Sequence, residues 1–147
     1  MLARGGAGLI VYVIRHASAG KRSEWWGNDR LRPLDERGRR QADALIGELE
    51  GRPIARILSS PYVRCVQSVD LLARARGLQV EPVDELAEGA AVEAALEVLR
   101  VGEAAAACVH GDLIEALLGR GEPKGSTTVL ELDAGPPKVL ERLAPPA

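Results

Sequence analysis

Aromatic side chains are scarce in this sequence. Phenylalanine is absent from its 147 residues, and the aromatic residues are two tyrosines and two tryptophans: Tyr12, Tyr62, Trp25 and Trp26. Proteins that bind single-stranded nucleic acid without sequence preference stack successive bases on several aromatic rings. The scarcity therefore argues against nucleic acid as a partner.

Cysteines and long apolar runs are scarce as well. The chain has two cysteines, Cys65 and Cys108, both in apolar surroundings. A secreted disulfide scaffold uses more of them, so we expect a cytoplasmic location. The β-like run LIVYVI at 9–14 is far shorter than the ~18 residues of a membrane span and lies too early for a secretory leader. We therefore expect no membrane as partner.

The remaining composition is ordinary, with 46% hydrophobic and 27% charged residues. These proportions are typical of a globular protein. A chain of this length buries roughly 68–70% of its unfolded surface and needs no disulfide or metal to fold. We expect one domain over residues 1–147, with a loose N-terminus at 1–8.

The net charge of −2 conceals an asymmetry between the two halves. Residues 1–80 carry 14 Lys and Arg against 8 Asp and Glu, whereas residues 81–147 carry 5 against 13. Arginine binds phosphate through two parallel hydrogen bonds, so an anionic ligand near the N-terminal half is one interpretation. Solvated helix faces are the other, and composition alone favours them.

Apolar β-branched segments alternate with amphipathic ones along the chain. Strands are predicted at 9–14, 54–58, 78–80 and 104–109, a closing hairpin at 127–132 and 139–143, and helices at 36–50, 61–76, 90–101 and 112–118. Asp35 and Ser60 are predicted N-caps, and Gly77 is predicted to follow the second helix. This alternation predicts an α/β fold, a three-layer α/β/α sandwich with a mostly parallel central sheet.

Both histidines of the chain follow predicted strands. His16 comes after strand 9–14, and His110 comes after strand 104–109. Ligands of such sheets bind beyond the carboxyl ends of the strands. Arg15 and Arg64 occupy similar places, so two histidines and two arginines are expected to form a clamp for a phosphoryl group.

Five short motifs carry a family resemblance. They are RHA at 15–17, PLD at 33–35 with Gly38 and QA at 41–42, SPYVRCVQS at 60–68, LAE at 86–88 and VHG at 109–111. In this order they resemble the signature of the histidine phosphatase superfamily, also called phosphoglycerate-mutase-like. The stretches 16–20 and 27–35 resemble small SixA-type phosphohistidine phosphatases. They are still more similar to the histidine phosphatase domain fused behind Nudix hydrolase domains.

The resemblance implies a fold and a mechanism. The fold would be phosphoglycerate-mutase-like, and His16 would form a phosphohistidine. Arg15, Arg64 and His110 would hold the equatorial oxygens, and Glu88 would protonate the leaving group and then activate water. No cofactor is implied. Because no set of four residues has zinc-site spacing, we expect metal-independent chemistry.

The general acid is the least defined of these roles. Glu85 lies three residues before Glu88 and shares its face on a helical turn, although the motif favours Glu88. SixA-type members are expected to manage without this acid, since an imidazole leaves more easily than an alkoxide. Two positions depart from the family pattern: Val109 replaces a Ser or Thr, and Cys65 replaces an Ala.

The loop after His16 is expected to overhang the site and contact the substrate. The substrate-binding residues expected from the sequence are Ser18, Lys21, Arg22, Trp25, Arg32 and Lys124. The cations would bind further phosphates, and Trp25 or Trp26 would stack on a base. The alternative is that one tryptophan covers the core edge and the cations are solvated.

The expected function is a metal-independent phosphatase acting on a nucleoside di- or polyphosphate or on phosphohistidine in a protein. Only 21 residues separate Glu88 from His110, with no resemblance to the lid of a mutase, which must shelter its phosphoenzyme from water. The alternatives are a non-catalytic module that binds phosphorylated ligands and a partner subunit of a separate Nudix hydrolase.

Overall fold

A computed structural model describes residues 8–100, 102–133 and 135–146 of the chain. Its strands are β1 (Leu9–Arg15), β2 (Arg56–Ser59), β3 (Val80–Pro82), β4 (Ala105–Val109), β5 (Thr127–Leu132) and β6 (Lys138–Leu143). Its α-helices are α1 (Glu36–Glu48), α2 (Val63–Ala75), α3 (Val92–Leu99) and α4 (Gly111–Leu118). Single 3-10 turns lie at Arg22–Glu24, Asp29–Leu31 and Asp84–Leu86.

The strands form one mixed sheet in the order β3-β2-β4-β1-β5-β6. Strands β3, β2, β4 and β1 pair in parallel. Strand β5 runs antiparallel to β1, and β6 runs antiparallel to β5. The predicted α/β class and the closing hairpin are therefore confirmed, with the hairpin attached beside β1.

Helices cover both faces of the sheet, as the three-layer prediction requires. Val11 and Val13 of β1 belong to the apolar cluster that includes Leu99 of α3 and Leu113 of α4. The alternate residues, among them Ile14, belong to a second cluster with side chains of α1 and α2. Because successive side chains of a strand point to opposite faces, a continuous apolar run is the pattern of a strand buried on both sides.

The helix termini test the predicted caps. The Asp35 carboxylate accepts a hydrogen bond from the Gly38 N–H, so this N-cap prediction is confirmed. Gly77 has a φ of +68° after α2, as a residue that ends a helix in the left-handed region does. The Ser60 prediction is wrong: α2 begins at Val63, with Tyr62 in the cap position.

The bounds of several predicted elements also differ in the structure. The third strand begins at Val80 rather than at 78, because the Leu78 N–H donates to the Ala73 carbonyl and completes the end of α2. Helix α3 spans Val92–Leu99 rather than 90–101, and β2 begins at 56 rather than at 54.

The predicted loose N-terminus falls mostly on residues 1–7, which lie outside the described residues. Gly8 is described, and its N–H donates to the Glu131 carboxylate over 3.0 Å. No helix among residues 8–100, 102–133 and 135–146 combines the length and the apolarity that a membrane span needs.

Candidate active site

The two histidines meet because β1 and β4 are neighbours in the sheet. Arg15 pairs with Val109 at the carboxyl ends of these strands, and the His16 N–H donates to the Val109 carbonyl over 3.1 Å. The imidazole centroids of His16 and His110 are 5.4 Å apart. Since position 109 contributes its carbonyl oxygen here, Val can occupy it in place of Ser or Thr without losing this contact.

The His16 ring is held as a neutral nucleophile. Its Nδ1 lies 2.9 Å from the Ala17 carbonyl oxygen, which can only accept, so Nδ1 carries the proton and Nε2 carries the lone pair. Burial lowers the pKa of His16 to about 3, with a further contribution from the charges of Arg64 and Arg15, although the Ala17 bond opposes the shift. The imidazole is therefore uncharged at neutral pH.

His110 is anchored by the residue that was expected to cap α2. Its Nε2 lies 2.8 Å from the Ser60 hydroxyl oxygen and 3.5 Å from Cys65 Sγ. The Tyr62 ring packs edge-on, with centroids 4.6 Å apart. His110 Nδ1 is buried and has no hydrogen-bond partner among the described residues.

Arg15 lies against the first residue of α4. Its Nη1 donates to the Glu122 carbonyl over 2.7 Å, while its Nε is buried and unpartnered within the described part of the chain. A Cβ atom at Gly111 would come within 2.9 Å of the guanidinium carbon. The glycine after His110 therefore makes room for Arg15.

Arg64 is completely buried at the start of α2. Its Nη1 donates to the Asp29 carbonyl over 2.8 Å, and its Nη2 donates to the Asp29 carboxylate over 3.0 Å. Its Nε has no partner among the residues described. Asp29 thus binds one end of the guanidinium and leaves the Nε unoccupied.

These groups line one cleft of about 650 Å³. The expected catalytic residues that line it are Arg15, His16, Arg64, Glu88 and His110. A buried polar group without a partner typically costs about 1–3 kcal/mol, and here three such nitrogens belong to one site. An oxyanion bound in the cleft would provide the missing acceptors.

Glu88 and Glu85 are separated by the structure. Glu88 lines the cleft, and its carboxylate accepts two hydrogen bonds from Arg22, at 2.8 and 3.0 Å. It also lies 3.6 Å from Arg64 Nη2. Glu85 is exposed and is not part of the lining. The geometry therefore favours Glu88 for any role at the reacting group.

Four of the expected substrate-binding residues line the cleft: Lys21, Arg22, Arg32 and Lys124. Arg32 is held by the Asp29 carboxylate at 2.8 Å and by the Ala19 carbonyl at 2.6 Å. Partial burial lowers the pKa of Lys124, as do the charges of Arg15, Arg32 and Arg64. Cations crowded in this way attract an anion.

Ser18 and Trp25 do not line the cleft. The Ser18 hydroxyl donates to Asp35 over 2.7 Å and so joins the loop to the start of α1. Trp25 lines a neighbouring hollow, and its Nε1–H donates to the Asn28 carbonyl. Asp29 and Ser60 were not among the predicted site residues, and Ser60 was predicted only as a helix cap, although both stand in the motif stretches 27–35 and 60–68.

Comparisons with known proteins identify the family of this chain. A profile of the histidine phosphatase superfamily (branch 1) matches residues 11–95. The 8-oxo-(d)GTP phosphatase of Mycolicibacterium smegmatis is 33% identical over 155 aligned positions, gaps included. The matched region covers 92% of this chain and 48% of that protein. The chain thus spans about half the length of this curated relative.

Solved structures show the same fold. The SixA protein of Agrobacterium tumefaciens is 26% identical, with a TM-score of 0.75 and coverage of 92% of this chain and 98% of that one. The protein histidine phosphatase SixA complexed with tungstate is 22% identical, with a TM-score of 0.76 and coverage of 93% and 97%. The fold is therefore phosphoglycerate-mutase-like, and the chain belongs to the histidine phosphatase superfamily.

Proposed function

We propose that this protein is a phosphatase that transfers a phosphoryl group to Nε2 of His16 and then to water. The observation that supports this most directly is the neutral His16 ring, whose Nε2 keeps its lone pair in a cleft with three unpartnered buried nitrogens. Arg15 Nε, Arg64 Nε and His110 Nδ1 would donate to the phosphoryl oxygens, provided that His110 carries a proton on Nδ1.

In the first step the Nε2 lone pair of His16 attacks phosphorus, and the bond from phosphorus to the leaving group breaks. Glu88, once released from Arg22, donates a proton to the leaving atom. In the second step a water oxygen attacks phosphorus and gives a proton to Glu88. The phosphorus–nitrogen bond breaks, the electron pair returns to Nε2, and inorganic phosphate leaves.

The proposed substrate is a nucleoside di- or polyphosphate, with phosphohistidine in a protein as the second candidate. The first is supported by the cations Lys21, Arg32 and Lys124 beside the reaction site and by the nucleotide named for the M. smegmatis relative. The second is supported by the similarity to the A. tumefaciens SixA protein.

The test is phosphate release in EDTA by wild type and His16→Ala. The panel pairs nucleoside diphosphates and dinucleoside polyphosphates with a phosphohistidine peptide. We expect His16→Ala to lower the rate at least about 10³-fold, because the nucleophile is lost. A thermal melt of both proteins serves as the control for folding. A rate close to wild type in a folded His16→Ala protein would exclude the phosphohistidine mechanism.

The same panel separates the alternatives. If phosphate is released from the peptide but not from the nucleotides, and if this release requires His16, the protein is a phosphohistidine phosphatase. Saturable binding without release from any substrate would favour the non-catalytic module.

Four expectations from the sequence remain predictions: partnership with a Nudix hydrolase, a single domain over 1–147, metal independence and a cytoplasmic location. Co-purification from native cells would test the partnership.

A further inference from the structure

Exposed apolar side chains are concentrated on the loop beside the cleft. The exposed large hydrophobic side chains among the described residues are Trp25, Trp26, Leu31, Leu71 and Leu140. The first three lie close together in sequence, on the loop that also supplies Lys21 and Arg32 to the cleft. Apolar groups exposed together next to a charged site are typical of a ligand contact.

Trp25 lines a hollow of about 240 Å³ next to the cleft. Pro33 and Leu34 contribute apolar surface to this hollow. Gly20, Lys21 and Arg32 line both the hollow and the cleft, so the two spaces are adjacent. A ligand bound at His16 can therefore extend past two cationic side chains to reach Trp25.

The two tryptophans differ in how they are held. Trp25 is 37% exposed, and its indole N–H is fixed to the Asn28 carbonyl over 3.0 Å. Trp26 is 93% exposed and lines neither the hollow nor the cleft. A ring that is already fixed loses little conformational freedom when a flat ligand stacks on it, so Trp25 is the better platform.

We propose that this hollow is a subsite for the base of a nucleoside di- or polyphosphate, with Trp25 as its stacking platform. The terminal phosphate would lie at His16, and Lys21 and Arg32 would bind the phosphate that joins it to the nucleoside. The hollow is smaller than the 300–1,000 Å³ typical of a drug-sized ligand and suits one ring system rather than a protein segment. This inference rests on the proposed function and specifies its substrate class.

The experiment compares GDP with inorganic pyrophosphate, which has the two phosphates but no base. We expect wild type to show a higher kcat/KM for GDP than for pyrophosphate. Trp25→Ala should lower the GDP-to-pyrophosphate ratio of kcat/KM about tenfold, the scale of base–aromatic stacking. Trp26→Ala is the matched control and should leave the ratio at the wild-type value.

An unchanged ratio in Trp25→Ala, or equal losses in the two variants, would overturn the subsite. A loss confined to a phosphohistidine peptide would also overturn it, since the platform would then serve a protein.

A binding measurement distinguishes failure of the base subsite from failure of the proposed phosphatase function. The chain has two tryptophans, so Trp26→Phe leaves Trp25 as the single tryptophan fluorophore. Saturable quenching of this protein by GDP supports the subsite even if GDP is not hydrolysed. Absence of quenching at saturating GDP would reject it.

Discussion

Asp29 connects three arginines of the active site. Its carboxylate lies 3.0 Å from Arg64 Nη2, 2.8 Å from Arg32 Nε and 3.4 Å from Arg22 Nε. These positive charges, together with the Arg32 hydrogen bond, hold the pKa of Asp29 below its usual range, although burial opposes them. Asp29 thus acts through Arg64: it holds the arginine in place for the substrate, and Asp29 itself need not contact the substrate.

We expect Asp29→Asn to lower kcat/KM about 10- to 100-fold. The amide keeps the shape of the side chain but removes the negative charge, and hydrogen bonds to charged groups contribute about 1.5–3 kcal/mol. Asp43→Asn on the exposed side of α1 is the control and should have no effect. If Asp29→Asn retained the full wild-type kcat/KM, this positioning role would be rejected.

At the scale of elements, α1 is joined to the active-site loop through Gly38. A Cβ atom at Gly38 would come within 1.9 Å of the Ser18 carbonyl oxygen, which belongs to the backbone and cannot move aside cheaply. The Ser18 carbonyl also accepts the Asp35 N–H. The loop after His16 therefore lies directly on the first turns of α1.

This contact predicts opposite effects for two glycines of one helix. Gly38→Ala should destabilise the fold by about 1–3 kcal/mol, the usual cost of overpacking. Gly47→Ala, where a Cβ would meet nothing within 4 Å, should stabilise it by about 0.5–1 kcal/mol, because alanine favours the helix. Urea unfolding of both variants measures the difference, and a Gly38→Ala protein as stable as wild type would contradict the close approach.

For the whole molecule, the buried neutral His16 predicts a dependence of stability on pH. The pKa of His16 falls to about 3 in the fold, whereas an unfolded histidine has a pKa of about 6.5. Between these values the unfolded chain binds a proton that the folded chain excludes. Folded stability is therefore lost as pH falls from 6.5 toward 3, by up to about 1.4 kcal/mol per pH unit.

His16→Gln removes this titration. We expect the stability of wild type relative to His16→Gln to decline steadily as pH falls from 7 to 4, and to be constant above pH 7. Urea unfolding at several pH values gives the free energy of unfolding of both proteins. Taking the difference between them removes the contribution of the carboxylates, which are common to both. A constant difference throughout would show that His16 titrates normally in the folded chain.

Local patterns in the sequence were sufficient for much of the fold. The apolar run at 9–14 indicated a doubly buried strand, and Asp35 indicated the start of a helix. Both depend on neighbours within a few residues, so the sequence carries them directly. The placement of both histidines after predicted strands likewise pointed to one edge of the sheet.

The prediction that Ser60 caps α2 was wrong for a physical reason. Its hydroxyl accepts the Tyr62 N–H and bonds His110 Nε2, a partner fifty positions away in sequence. The Ser60 hydroxyl therefore serves His110 and the turn before α2, and it bonds no N–H of the helix, which begins at Val63. Local rules are expected to fail at functional sites in this way.

The sequence by itself predicted the order of the elements, the family and the five catalytic candidates that line the cleft, because periodicity, caps and motifs are properties of short stretches of chain. Tertiary structure alone decided that β4 lies beside β1, that Asp29 holds Arg64, and that Glu88 rather than Glu85 lines the cleft. It also separated Trp25 from Trp26. Each of these depends on contacts between residues far apart in the chain, or on the direction of a single side chain, which no local pattern specifies.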